Sequence, residues 1–308
     1  AMQRAGRAVA AAVVRDFSEI GPFPAEAKVL VLVGKGHNGG DALIATQALL
    51  ERFPAATAEV LFVFGERSLR PLAARAWRDL VHAVRGRVVA VEAAKGPAYS
   101  LCLDGVFGFQ FRPPAEPRLV ELFDQINALP IRFSAAVDLP SADLFRADFT
   151  YATGCVKTPV LSSENAGRVR YLDLGFFNGS EAGGNRVLTP ALLAPLVALR
   201  PARSDKRTYG HVGLVGGSLS YPGAVLMAAL AALRSGAGLV TAFVPESLAA
   251  AFAARAPEVM WVGWPETPAG ALALEGQHLL VARLERFDAL VLGLPWQRLP
   301  EMSVITRL

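Results

Sequence analysis

The sequence predicts an α/β protein made of parallel sheets with helices on both faces, and three observations carry that expectation. Helix-period stretches alternate with short Val- and Leu-rich runs along all 308 residues, the order that successive βαβ units produce. The continuous apolar run over residues 29–33 is the kind of segment buried on both faces of a parallel sheet. A glycine-rich loop follows that run directly, and a second junction of strand and glycine turn occurs at 211–218, so the pattern starts again. A hydrophobic fraction of 53% is ample for two buried cores. The expected organisation is therefore two domains, 1–198 and 199–308.

The first residues, 1–16, read as a helix that begins with nothing ahead to cap it, as though the chain starts inside a domain. The run 29–33 is the central strand, residues 34–40 a tight loop, and Asp41 the first residue or cap of the helix that continues through Leu50. Residues 59–64 form the next strand, and 69–84 a helix with Leu72, Ala76, Leu80 and Ala83 on one face. Short strands are expected at 88–91 and 101–103. The second ends in Asp104, and the stretch to Pro114 that follows is too rich in glycine, aromatic residues and proline for regular structure. A helix over 117–127 starts with proline in its first turn. The strand over 135–139 again ends near an aspartate, Asp138, followed by Pro140 and Ser141. Strands at 148–153 and 168–174 complete the first unit, and 176–184 with 188–201 form a linker interrupted by proline. In the second unit a strand at 211–215 runs into Gly216-Gly217-Ser218. An Ala-rich helix over 222–233 is closed by 235–238, and 239–244, 247–255, 259–262 and 289–292 continue the alternation.

Gly34, Gly36 and Gly39 satisfy the spacing G-x-G-x-x-G of nucleotide-binding turns, which alone is weak because glycine turns after strands are common. Asn38, two consecutive glycines and Asp41 strengthen it, since glycine lets a ligand approach the backbone closely. Three strands thus deliver polar side chains at their carboxyl ends: Asn38 with Asp41, Asp104, and Asp138 with Ser141. In an open parallel sheet these ends share one edge, where ligands bind, so residues about a hundred positions apart are expected to converge.

A formal charge of +4 is spread through helices and linkers with no basic run, which argues against nucleic acid and suits an anionic cofactor. No apolar stretch approaches the roughly 18 residues of a membrane span, and no charged-then-apolar leader opens the chain, so no membrane role is expected and the expected compartment is cytoplasmic. Cys102 and Cys155 have no metal-ligand spacing and are both expected to be small buried residues.

These residues together resemble two domains that bacteria commonly fuse. The loop 34–41, the run 104–114 and Val137-Asp138-Leu139-Pro140-Ser141 resemble the NAD(P)H-hydrate epimerase domain. Lys206, Gly210-His211, Gly216-Gly217-Ser218, Tyr221-Pro222-Gly223-Ala224 and Arg234-Ser235-Gly236-Ala237-Gly238 resemble the opening of the ADP-dependent NAD(P)H-hydrate dehydratase domain. The resemblance implies a Rossmann-like three-layer parallel sheet followed by an incomplete ribokinase-like α/β domain. It implies that hydrated NADH or NADPH, as small-molecule substrate, is held by His37, Asn38, Gly39, Gly40 and Asp41 and by Gly108, Phe109, Gln110, Phe111, Arg112, Pro113 and Pro114. Asp138 would also contact the substrate, and Ala224 would line the substrate of the second domain. A potassium ion would be bound by Asn38, Asp104 and Ser141, whose oxygens suit a hard cation. ADP or ATP would serve only a functional dehydratase domain, and a homo-oligomer is compatible with the resemblance. Asp138 is the expected acid–base catalyst, since inverting carbon 6 of the hydrated ring requires a bond there to break and re-form. Lys157 and Pro159 match a Lys-Pro pair of the family to which no role is attached here.

Four departures accompany the resemblance. His37 stands where asparagine is usual, and Ala142 and Asp143 follow Ser141 where glycine is usual, which implies a strained turn. Residues 292–296, Leu-Gly-Leu-Pro-Trp, stand where a Gly-Pro-Gly-Leu-Gly loop is expected, and the later nucleotide-binding glycine loops are absent. The leading expectation is an epimerase of the R and S hydrates. The competing one is a non-catalytic nucleotide-binding or scaffold protein with a degenerate pocket, and a small-molecule kinase comes third.

Overall fold

The computed structural model describes residues 1–94, 96, 98–176, 186–196 and 199–293. The chain divides into two compact units, Ala1–Pro190 and Ala191–Leu308. The boundary expected at 198/199 touches residues outside those described.

The first unit is a seven-stranded sheet, all of whose pairings are parallel. Its strands are β1 Lys28–Val33, β2 Thr57–Phe62, β3 Val88–Val91, β4 Leu101–Gly105, β5 Ser134–Val137, β6 Phe149–Thr153 and β7 Arg168–Leu172, in the order β3-β2-β1-β4-β5-β6-β7. The helices are α1 Met2–Phe17, α2 His37–Arg52, α3 Pro71–Ala83, α4 Pro117–Asn127 and the short α5 Thr158–Ser162. Because strand side chains alternate, β1 sends Val29, Val31 and Val33 into a core shared with α1, α2 and α3. Its Leu30 and Leu32 enter a second core with Phe123 and Ile126 of α4. This two-sided burial is what the unbroken apolar run of β1 encodes, and it gives the expected three layers.

Close approach of α1 to α2 depends on glycine. A β-carbon at Gly6 would lie 2.6 Å from Ile44 Cβ, and one at Gly40 would lie 2.5 Å from Met2 Sδ. The strand order leaves β1, β4 and β5 side by side, so the three predicted polar strand ends do share one rim.

The second unit carries β8 His211–Val215, β9 Leu239–Pro245, β10 Met260–Trp264 and β11 Ala289–Leu292 in a parallel four-stranded sheet of order β10-β9-β8-β11. Its helices are α6 Gly223–Arg234, α7 Glu246–Arg255 and α8 Gln277–Val281. Leu214, Val240 and Ala242 pack against Val225 and Ala229 of α6, while Val215 and Phe243 pack on the other face with Trp264 and Leu280.

Several sequence expectations are corrected. Helix α2 begins at His37 rather than near Asp41, which puts Gly39 and Gly40 inside it. Poor helix formers are accepted there because tertiary packing needs their bare backbone: a β-carbon at Gly39 would stand 2.3 Å from the Gly34 carbonyl oxygen. On α3, Ala76 and Leu80 are buried as expected, but Leu72 and Ala83 are exposed and Ala73 joins the buried face instead. Cys102 is buried as expected, but Cys155 is exposed on the loop after β6. Helices α5 and α8 were not anticipated, each being too short to show periodicity. Of the expected linker, 177–185 and 197–198, and of the departing loop, 294–296, lie outside the described residues.

Candidate functional site

The site is assembled from the carboxyl ends of β1, β4 and β5. Gly34 follows β1 because nothing larger fits: a β-carbon would lie 1.9 Å from the Val106 carbonyl oxygen. The loop after β1 therefore lies directly against the loop after β4, and Asn38 ties both to β5. Its side-chain amide donates to the Phe107 carbonyl at 2.8 Å and to the Val137 carbonyl at 2.9 Å. One residue in the first turn of α2 thus fixes two strand ends separated from it by 69 and 99 positions.

Asp104 and Ser141 form the buried floor. Both are fully buried. The Asp104 carboxylate accepts from the Ser141 hydroxyl at 2.6 Å, the Ser141 backbone N–H at 2.7 Å and the Val106 N–H at 3.1 Å. The Ser141 oxygen in turn accepts from the Phe107 N–H at 2.8 Å. Burial pushes the Asp104 carboxyl up to about 6, against the opposing pull of its hydrogen bonds from Ser141 and Val106.

Asp138 caps β5 and faces the cleft. It adopts a left-handed backbone, φ 73°, a conformation uncommon outside glycine that aims its side chain off the strand direction. Its carboxylate is ion-paired with Lys157 and accepts from Thr153 Oγ1 at 3.1 Å. Lys157 also donates to the Thr153 carbonyl at 2.8 Å, so its ammonium is held from two sides. Asp41, in the second turn of α2, is buried and its Oδ1 has no hydrogen-bond partner among the described residues. Burial, reinforced by the nearby charge of Asp138, raises its carboxyl to about 7. A carboxylate paired with a lysine therefore stands near a second carboxyl, Asp41, that burial makes harder to ionise.

The turn after Asp138 is strained as the absence of glycine implied: Ala142 has φ 55° and Asp143 φ 57°. Asp143 is held by hydrogen bonds from Ser163 Oγ at 2.5 Å, to its carboxylate, and from Asn165 Nδ2 at 2.7 Å, to its carbonyl.

Above this floor opens a cleft of about 690 Å³. Of the residues expected to hold substrate, His37, Asn38, Gly108, Phe109, Gln110, Phe111, Arg112, Pro114 and Asp138 line it. Gly39, Gly40 and Asp41 lie buried behind the wall in α2, and Pro113 is not part of the lining. Asp104 and Ser141 sit beneath it. Ala224 belongs to the second unit, exposed in the first turn of α6, and does not join this site. His37 is exposed at the mouth, which is why its bulk is accommodated. The loop after β4 is shaped by Phe107 and Phe111, whose ring centroids are 4.6 Å apart, and by Arg112, which donates to the carbonyls of Phe109 and Phe111.

Lining residues that sequence reasoning missed include Lys35, Phe64, Arg70, Glu116 and Leu119. Phe64 and Arg70 follow β2, whose polar content carried no motif. The partnership of Lys157 with Asp138 was equally invisible, since it depends on β5 and β6 being neighbours. The described residues contain no cluster of three or more His, Cys, Asp or Glu side chains able to hold a metal ion. They also contain no helix long and apolar enough to cross a membrane.

Comparison with known proteins agrees with this division. Residues 1–158 match the family described as YjeF-related protein N-terminus, and residues 212–305 match the family described as NAD(P)H-hydrate dehydratase. The chain is 36% identical, over its whole length, to 62% of a bifunctional NAD(P)H-hydrate repair enzyme from Gloeobacter violaceus. It is 32% identical over 95% of its length to 58% of the enzyme of the same name from Moorella thermoacetica. A third relative of that name, from Thermosynechococcus vestitus, is 30% identical over 86% of the chain and 54% of its own length. The chain thus spans less than two thirds of the length of these curated relatives.

Proposed function

This chain belongs to the family of YjeF-related N-terminal proteins, and on that premise we propose that its first unit interconverts the R and S forms of hydrated NADH and NADPH. The observation that carries the proposal is Asp138 on the wall of a cleft also lined by Gly108 to Arg112 and Pro114, with Lys157 paired to its carboxylate. The names of the three relatives supply the substrate class.

Epimerisation at carbon 6 of the hydrated ring requires the carbon–oxygen bond to break as the ring nitrogen pushes its electron pair toward that carbon. The departing hydroxyl needs a proton, and the water that returns to the opposite face must lose one. Asp138, ion-paired with Lys157, is suited to accept the proton of the incoming water, and the Lys157 ammonium held against it is a proton donor behind the same carboxylate. Phe107, Phe111 and Leu119 give the cleft an apolar surface against which a planar ring can lie while bulk water is displaced.

The floor also fits the potassium ion that the resemblance implies. The Phe107 and Val137 carbonyl oxygens converge on one positively polarised amide hydrogen-bond donor, beside a carboxylate–hydroxyl pair, Asp104 and Ser141. That set of oxygens suits a hard monovalent cation, with Asn38 as the adjustable member. When bound, the ion would supply positive charge to offset the clustered carboxylates and the ligand phosphates. For the second unit, the matched family suggests ADP- or ATP-dependent dehydration of the S hydrate, with Ala224 and the Gly216–Ser218 turn beside the substrate. A cytoplasmic location goes with metabolite repair of this kind.

The test is to supply the purified chain with the R hydrate and follow formation of the S hydrate by chromatography, with and without potassium. Acceleration over the spontaneous rate is expected. Its absence in both conditions would remove the proposal.

A further inference from the structure

The cleft has a second polar end that the chemistry at Asp138 leaves unused. Lys35 follows β1 and Arg70 precedes α3, and the two are tied together by a hydrogen bond from the Arg70 N–H to the Lys35 carbonyl at 2.9 Å. Both line the cleft, and both are exposed. Among the described residues neither side chain forms an ion pair or donates a hydrogen bond, whereas Arg112, the other arginine of the lining, is spent on holding its own loop. The Lys35 ammonium lies 4.7 Å from the centroid of the Phe64 ring, which keeps it over an aromatic face. The carboxylates on the cleft wall are Asp138 and Glu116.

Position decides what this pair can serve. Phe64 and Arg70 follow β2 and Asp138 follows β5, three strands apart in the order β2-β1-β4-β5. That is a lateral separation of about 14 Å at the usual strand spacing. A ligand whose reacting ring sits at Asp138 must therefore be extended to reach Lys35 and Arg70, and it must bring negative charge there.

We propose that Lys35 and Arg70 form a phosphate subsite that binds the phosphate groups of the nucleotide remote from the reacting ring, with Phe64 as its aromatic floor. The assignment rests on the epimerase reading for the identity of the ring, but the phosphate recognition itself does not need catalysis. Two phosphates of the substrate could be the one held, the pyrophosphate common to NADH and NADPH hydrates or the 2′-phosphate found only on the latter.

The experiment uses the whole chain and the variants Lys35→Met, Arg70→Gln and their combination. Arg67→Met, an exposed neighbouring arginine outside the cleft, is the control. Epimerisation kinetics on both hydrates are measured beside calorimetric binding of two unreactive probes, ADP-ribose and its 2′-phosphorylated form. Each single variant is expected to raise KM and weaken probe binding by about tenfold with kcat nearly unchanged, as loss of a charge-assisted contact far from the reacting atom should do. The double variant is expected to lose more, together with most of the salt dependence of binding, while the control behaves as the parent chain.

Equal losses for both substrates would assign the pyrophosphate, and a loss confined to NADPH hydrate and the 2′-phosphorylated probe would assign the 2′-phosphate. Either supports the subsite. Variants that match the parent chain in KM and in probe affinity would overturn it. If the parent chain fails to epimerise yet binds the probes through Lys35 and Arg70, the subsite stands and the epimerase reading falls.

Discussion

At the scale of single residues, the site places two carboxyls in different surroundings. Asp138 has a lysine against it, while Asp41 is buried with one oxygen unpartnered, and its carboxyl is pushed up to about 7. Lys157→Met should lower kcat far more than it changes KM, because it removes the ammonium that holds the Asp138 carboxylate in place. Asp41 has a measurable consequence for stability. Its proton leaves the unfolded chain near the ordinary carboxyl value of 3.8 but stays on the folded chain until about 7. Between those limits the folded state binds more protons, so stability falls as pH rises and levels off above pH 7, for a total loss on the order of 4 kcal/mol. Asp41→Asn should remove that part of the decline and leave the smaller one that Asp104, raised to about 6, contributes, and urea unfolding midpoints at several pH values from 4 to 8 would show the difference. The catalytic candidate was legible in the sequence because a strand ending in Asp138-Leu139-Pro140-Ser141 announces itself locally. Lys157 and Arg70 were not, since each acquires its meaning from a neighbour supplied by another strand.

At the scale of elements, glycine placement and backbone strain set the architecture of the rim. The loop after β1 and the first turn of α2 can lie against the loop after β4 only because Gly34, Gly39 and Gly105 carry no side chain. A β-carbon at Gly105 would meet the Asn38 carbonyl oxygen at 2.6 Å. The glycines of the run 34–40 read from sequence as a phosphate-holding loop; two of them instead serve helix packing, which is why α2 starts earlier than their low helix propensity suggests. Gly6→Ala should therefore destabilise the first unit by about 1–3 kcal/mol through overpacking against Ile44. Ala142, by contrast, pays for φ 55° without any benefit to its side chain. Ala142→Gly is expected to stabilise the chain by about 0.5–1 kcal/mol, the left-handed strain relieved being partly offset by the freer unfolded chain. Thermal unfolding of the two variants beside the parent chain measures both effects.

At the scale of the whole molecule, the two units have separate sheets and separate cores, and the cleft belongs entirely to the first. The layered α/β class and nearly every long element were legible, because buried parallel strands write themselves as apolar runs bounded by turn residues. Strand order was not legible, and with it the identity of the residues that complete the cleft beyond the motif loops. Since Ala224 lies in the other unit, Ala224→Trp should leave interconversion of the hydrates at the parent rate, measured under the same conditions. What unites the account is the convergence of Asn38, Asp104, Asp138 and Ser141 on one rim, with Asp138 moving the proton. The most direct measurement is the rate at which the whole chain converts R to S hydrate, compared with that of Asp138→Asn of unchanged far-ultraviolet circular dichroism. The expected result is a loss of about a hundredfold or more, the scale of a removed acid–base group. An Asp138→Asn chain that turns over as fast as its parent would contradict the account.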